Sequence, residues 1–174
     1  MVISGPTYYG RGIYVIDNFY AHIDSNVITN VRTGIQTTNF YRANTGTAPR
    51  IMGNNVSANV RGVYHNLQYA NGDTWTIANN TITAGAHVEA YNEGLIFNSL
   101  FDSVGVVVQN NEISNHYIGV NVWGTHSTNI LTIEGGHISF CYCLWIIVYK
   151  CGQRIWKYQS CPWTIGPGPE QYCV

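Results

Sequence analysis

Short stretches in which apolar and polar residues alternate recur along the chain. Five segments, Ala21–Gly34, Pro49–Gly62, Trp75–Val88, Val106–Gly119 and Leu131–Leu144, superpose column on column. Each opens apolar-x-apolar, takes a short polar step, then sets down one apolar residue followed by Ser or Thr. The single apolar positions are Ile28, Val56, Ile82, Ile113 and Ile138, at intervals of 28, 26, 31 and 25 residues. Five residues before them stand Ile23, Ile51, Ile77, Val108 and Ile133. Two before stand Asn26, Asn54, Asn80, Asn111 and Gly136, and one after stand Thr29, Ser57, Thr83, Ser114 and Ser139. Chance does not hold four columns in register over five periods; a repeat of this length marks a solenoid.

The local period of 2 makes the elements strands, and no stretch sustains the i, i+3, i+4, i+7 stripe of a helical repeat. Each period offers three short strands: one with the apolar pair, one with the anchor, and one that starts at a glycine, as in Gly34-Ile35, Gly62-Val63 and Gly119-Val120-Asn121-Val122. Three strands per period close one triangular coil, and coils stack at about 4.8 Å. A coil has no core of its own and buries its apolar edge only against neighbours. The asparagine column predicts a ladder along the axis. Asn tolerates left-handed backbone in a turn, and its amide can donate to the carbonyl of the next Asn.

Asn79-Asn80-Thr81-Ile82-Thr83, and Asn110-Asn111-Glu112-Ile113-Ser114-Asn115 followed by Gly119-Val120-Asn121-Val122, resemble right-handed parallel β-helix repeats of the pectate-lyase-like superfamily. The resemblance covers about residues 12 to 148, and Gly12-Ile13-Tyr14-Val15 reads as the end of an earlier, incomplete coil. It implies an all-β chain: a right-handed parallel β-helix of five to six coils over residues 1–148, then an irregular tail over 149–174. It also implies an extracellular or cell-surface protein. Met1-Val2-Ile3-Ser4-Gly5-Pro6 has neither the basic start nor the apolar run of a signal peptide, so the expectation is a module from a longer protein. The resemblance does not select an activity, because lyases, hydrolases, epimerases, tail spikes and adhesins share this fold.

Composition narrows the partners. Of 174 residues 10% are charged and the net charge is −1, which argues against nucleic acid, whose binding needs a basic face. The longest apolar run, Leu144–Tyr149, is too short for membrane insertion. After Phe140 the composition changes: all five cysteines and both lysines lie beyond it, and no Asn follows Asn129. Gly166-Pro167-Gly168-Pro169 cannot continue a strand ladder. Three readings of the tail stay open: a cap over the end of the stack, a disulfide-linked segment, or a stretch read out of frame. Cys141-Tyr142-Cys143 lacks the two-residue gap of a zinc motif, and no metal or cofactor is expected.

By resemblance, polysaccharide lies on the outer face of the third strand. Alternation there turns Gln36 and Thr38, Tyr64 and Asn66, and Asn121 and Trp123 outward. In the third period strict register would bury Glu89 unpaired, so a one-residue shorter turn is expected, with Val88 and Ala90 inward and Glu89 and Tyr91 outward. The candidate glycan-binding residues are therefore Tyr64, Asn66, Tyr91, Asn121 and Trp123, with Glu89 as a weak catalytic candidate and Asp73 and Asp102 within reach of it by loop folding. A glycosidase needs two carboxylates about 5–9.5 Å apart, whereas Asp24 and Glu134 fall four strands apart, about 19 Å. The Asn-Thr-Asp, Asp-Asp, His-Gly and Arg-x-Lys set of polygalacturonases and the Asp-Pro-His signature of β-helix epimerases are absent. His22, Asp24 and Arg50 form a second outward cluster that reads as a solvated patch, and His65 points inward as a hydrogen-bonded core residue. The expectation is a β-helix scaffold that contacts polysaccharide or a cell-surface glycan. Its alternatives are a partial lyase or hydrolase domain and a structural spacer.

Overall fold

The computed structural model describes residues 1–5, 10–17, 21–39, 49–67, 74–87, 89–98, 105–123 and 130–139. It also describes the backbone of the strands Leu144–Lys150, Gln153–Gln159, Trp163–Thr164 and Glu170–Cys173; of Asn39, Leu67, Trp123, Ile130 and Leu131, too, only the backbone is described. Among the described residues every regular element is a strand, and the strands wind into a parallel β-solenoid.

Three walls run along its axis. The first holds His22–Asp24, Arg50–Met52, Thr74–Ala78, Gly105–Gln109 and Ile130–Glu134, each parallel to the next. The second, the anchor wall, holds Val2–Ser4, the opening of the long strands Val27–Asn39 and Asn55–Leu67, then Thr81–Ala84, Glu112–Ser114 and His137–Ser139. The third holds Arg11–Ile16, the second halves of those long strands, Glu93–Asn98 and Ile118–Trp123. Among the described residues four coils have all three sides ladder-paired. The opening coil has no first-wall strand there, and in the last one Leu144–Lys150 runs beside Ile118–Trp123 but pairs with Gln153–Gln159 instead of continuing the third-wall ladder, so the whole coils are fewer than five to six. The opening partial coil adds a member to the anchor column: Ile3 pairs with Ile28.

The columns read from the sequence are physical files. Ile28, Val56, Ile82, Ile113 and Ile138 pair strand to strand and are at most 2% exposed. Ile23, Ile51, Ile77, Val108 and Ile133 pair likewise on the first wall. Together with Ile35, Val63, Leu95 and Val120 from the third wall they make one continuous core. Burial of each such side chain is worth about 1.5–3 kcal/mol, so the stack is held chiefly by these files.

The asparagine ladder runs between the first and anchor walls. Asn26, Asn54, Asn80 and Asn111 are all buried. The Oδ1 of each of the last three accepts two hydrogen bonds from the preceding member: one from its backbone N–H and one from its amide, at 2.9–3.0 Å. The amides of Asn54, Asn80 and Asn111 also donate to the carbonyls of Ile23, Ile51 and Ile77 at 2.8–2.9 Å. The left-handed residue is not the ladder Asn, as the sequence suggested, but the one before it. Ser25, Gly53, Asn79, Asn110 and Gly135 all take φ between 50° and 61°. The turn therefore has two specialised positions, one for backbone shape and one for hydrogen bonding.

The third coil departs from the expected register. Its third-wall strand is Glu93–Asn98, with Leu95 and Phe97 inward in line with Val63 and His65; Ala90 lies in the turn before that strand, and Val88 lies outside the described residues. Residues 85–87 and 89–92 belong to an excursion before it, which accounts for the interval of 31 between Ile82 and Ile113. Gly94, not an earlier glycine, fills the corner position beside Gly62 and Gly119, where any side chain would collide with the anchor file.

Beyond residue 140 the strands turn antiparallel. Leu144–Lys150 and Gln153–Gln159 pair with each other. Trp163–Thr164 lies against His137–Ile138, and Glu170–Cys173 against Ile130–Ile133. The side chains of the five cysteines lie outside the described residues, as do Asp73 and Asp102.

Candidate functional site

The outer surface of the third wall carries two columns of mixed polar and apolar residues. One runs Tyr14, Gln36, Tyr64, Ile96, Asn121, and the other runs Ile16, Thr38, Asn66, Asn98, Trp123. The expected residues Tyr64, Asn66 and Asn121 do lie on this face, and the backbone of Trp123 falls in line with Asn98. The side chain of Trp123 lies outside the described residues.

Exposure divides the face. At its C-terminal half Ile96 is 3% exposed and Asn121 1% exposed. The Asn121 amide is spent on the Glu93 carboxylate. Asn98 donates to the Tyr64 hydroxyl at 2.8 Å. At the N-terminal half Tyr14 is 42% exposed, and Gln36, Tyr64 and Asn66 are partly exposed. The accessible strip is therefore Tyr14, Gln36 and Tyr64 on three adjacent strands; in the column beside it Thr38 is 3% exposed and Asn66 is partly exposed with its Oδ1 buried. Tyr14 was not among the residues singled out from the sequence. Its place beside Gln36 and Tyr64 depends on the incomplete first coil pairing in full with the next.

Glu89 and Tyr91 are not on this wall but in the excursion that precedes Glu93, at its corner with the anchor wall. The Glu89 carboxylate faces Arg32 at 3.6 Å, and its backbone N–H donates to the Asn59 carbonyl. Tyr91 is 69% exposed, takes φ 66° and meets Tyr117 edge-on at 4.9 Å between ring centres. Positive φ in a bulky aromatic is strained. The excursion is anchored from below by Asn92, whose amide donates to the Glu89 carbonyl and whose Oδ1 accepts from Tyr117 N–H and from His116 Nδ1, each at 3.0 Å. That arrangement puts the His116 proton on Nδ1.

Three arginines line the same corner, at the end nearer the first coil. Arg11, Arg32 and Arg61, with Gly10, Tyr14, Thr33 and Gln36, surround a cleft of about 320 Å³. Arg11 lies over the Tyr14 ring at 4.3 Å and gives its Nε to Gln36 at 2.5 Å; Arg61 lies over the Tyr64 ring at 4.8 Å. Arg61 faces the Glu93 carboxylate at 3.8 Å. Burial pushes the Glu93 carboxyl up, and the Asn121 amide and Arg61 only partly oppose this.

The other candidates settle into structural roles. Arg50 holds one Asp24 oxygen through Nε at 2.9 Å and Nη2 at 2.6 Å, which pushes the guanidinium pKa further up. His22 stands opposite Arg50 on the next strand. His65 is wholly buried, its Nδ1 bonded to the Thr37 hydroxyl and its ring against Trp75 at 4.5 Å and Phe97 at 6.0 Å. Burial pushes His65 down to about 3 and His116 down to about 4, so both are neutral at pH 7. Among the described residues no group of three His, Cys, Asp or Glu is placed to hold a metal ion. Asp24 and Glu134 lie in one column four strands apart, as expected.

A family model described as a protein of unknown function (DUF1565) matches residues 2–96, more than half of the chain. No curated protein matches, and no solved structure matches.

Proposed function

The chain belongs to the DUF1565 family, and from that membership and the parallel β-solenoid we propose a scaffold module that contacts carbohydrate on the open half of its third wall. One observation carries this reading: Tyr14, Gln36 and Tyr64 stand in register on three adjacent strands. Two flat rings about 10 Å apart flank an amide, on a wall whose backbone is fixed by ladder pairing on both sides. An arginine covers one face of each ring, and the remaining face or edge is what meets a sugar's C–H surface. The Gln36 amide accepts from Arg11 and donates to Thr38 at 3.3 Å, which leaves one lone pair and one N–H for sugar hydroxyls. Mounting the contacts on strands rather than loops holds them at fixed spacing without an ordering cost on binding. A glycan ligand places the module at a cell surface or outside the cell.

The test is binding to a broad glycan array by the intact chain, alongside Tyr14→Ala and Tyr64→Ala. Binding by the parent chain that falls about tenfold or more in each variant is expected, the order given by losing one stacking platform. No binding on the array, or binding that both variants retain, overturns the reading.

A further inference from the structure

We propose that the three-arginine cleft at the corner of the third wall is a subsite for a singly charged oxyanion substituent, a carboxylate or sulfate ester, on the glycan. The inference rests on the carbohydrate reading above and adds the chemistry of the sugar.

The chain has six arginines, and three of them, Arg11, Arg32 and Arg61, line this one cleft. They come from three consecutive coils, so the stacking itself gathers them. Each is partly committed, yet none is held by a close carboxylate. Arg32 and Arg61 face Glu89 and Glu93 at 3.6 and 3.8 Å. Those separations exceed the 2.7–2.9 Å or so of a charge-assisted hydrogen bond. The contrast within the molecule is Arg50, which holds Asp24 at 2.6 Å with two nitrogens on one oxygen. Arg11 is bonded to a neutral amide, Gln36. Three guanidiniums against two carboxylates leave a net charge of +1, which one singly charged oxyanion neutralises.

Geometry agrees with charge. Arg11 and Arg61 lie over the rings of Tyr14 and Tyr64, the two platforms of the proposed glycan strip. A guanidinium held over a ring keeps the edge donors it has not already used, which for Arg11 excludes the Nε given to Gln36, for a planar or tetrahedral oxyanion. A sugar resting on the strip therefore carries a substituent into the cleft beside it. The contact is partly exposed, with Arg32 and Arg61 side chains 50% and 44% accessible, so binding must weaken as salt is added.

The experiment measures affinity for four polymers at low and moderate salt: polygalacturonate, fully methyl-esterified pectin, dextran sulfate and dextran. The variants are Arg11→Gln and Arg61→Gln, with Arg50→Gln as a control that removes one positive charge from another wall. Circular dichroism checks that each variant folds. The expected result is salt-sensitive binding of polygalacturonate or dextran sulfate, at least tenfold tighter than of its uncharged counterpart. It should fall about tenfold in both cleft variants and stay unchanged in the Arg50 variant. Preference for polygalacturonate identifies a carboxylate, and preference for dextran sulfate a sulfate ester. Equal binding of charged and uncharged polymers, insensitivity to Arg11→Gln and Arg61→Gln, or an equal loss in Arg50→Gln overturns the oxyanion subsite while the glycan strip stands. No binding to any of the four, with none on the array, overturns both.

Discussion

The side-chain oxygen of Asn80 receives both the backbone N–H and the side-chain amide of Asn54, each at 2.9 Å. Asn80 in turn gives its amide to the Ile51 carbonyl at 2.9 Å and to Asn111. All of this happens at 1% exposure. Replacing Asn80 by Leu removes an acceptor and a donor together and strands their partners out of reach of water. An unsatisfied buried group costs about 1–3 kcal/mol, so the variant should lose roughly 3 kcal/mol or more in urea unfolding. Asn55→Ala, on the exposed face of the next strand, should stay within about 0.5 kcal/mol of the parent.

Glycines in two neighbouring columns should respond in opposite ways. A Cβ on Gly62 would come within 2.2 Å of Ile82 Cγ2 and 2.4 Å of the Gly94 carbonyl. The backbone cannot yield without parting two strands, so Gly62→Ala should destabilise by about 1–3 kcal/mol at least. Gly53 is left-handed at φ 61°, with only Ser25 Oγ, at 3.6 Å, near a would-be Cβ. Asn79 and Asn110 hold the same place in later coils. Gly53→Asn should therefore keep the parent melting temperature, while Gly53→Val, β-branched and intolerant of positive φ, should lower it.

Acid should loosen the stack before its carboxylates titrate fully. His65 and His116 stay neutral in the fold down to about pH 3 and about pH 4, whereas in the unfolded chain they take up protons near 6.5. Across that window the unfolded state binds more protons, so stability falls as pH falls. Each histidine adds a slope of about 1.4 kcal/mol per pH unit. Urea midpoints from pH 7 to 4.5 should drop steeply in the parent and about half as steeply in His65→Gln or His116→Gln. A flat profile in the parent would remove the argument.

Glu93 should show the reverse sign. Its folded carboxyl is pushed up, so the fold favours the protonated form, and stability is lost as pH rises through the folded value. Glu93→Gln keeps an acceptor for the Asn121 amide and removes the buried charge. It should leave the neutral-pH urea midpoint equal to or above that of the parent. A large drop would mean that the Arg61 contact outweighs desolvation.

Much of this architecture could be read from the chain because a strand repeat writes its core as columns. Ile28, Val56 and Ile82 are spaced by whole coils, and no other arrangement buries all of them. Local exceptions are harder to read. Gly85-Ala86-His87-Val88 imitates the glycine-apolar start of a third-wall strand, so the excursion hides until Gly94 is seen in the corner. The interval of 31 before Ile113 was its one trace. The doublets Asn79-Asn80 and Asn110-Asn111 put the same residue at both turn positions, which concealed that the first bends the backbone and the second bonds. The arginine cleft was illegible for another reason. Arg11, Arg32 and Arg61 lie 21 and 29 residues apart, and only the exact winding of the chain brings them to one corner.

The ladder also gives the solenoid an arrow. Each inner rung hands its backbone proton and one amide proton forward to the next Oδ1 and another amide proton back to a carbonyl of the coil before, so one coil fits above another in a single orientation and at a single height. A copy of residues 54–79 spliced in after itself would meet matching partners on both sides and push everything downstream about 4.8 Å further along. A molecule built this way is a ruler that can be lengthened by whole graduations, and the distance between whatever its two ends hold can be tuned without redesigning either end.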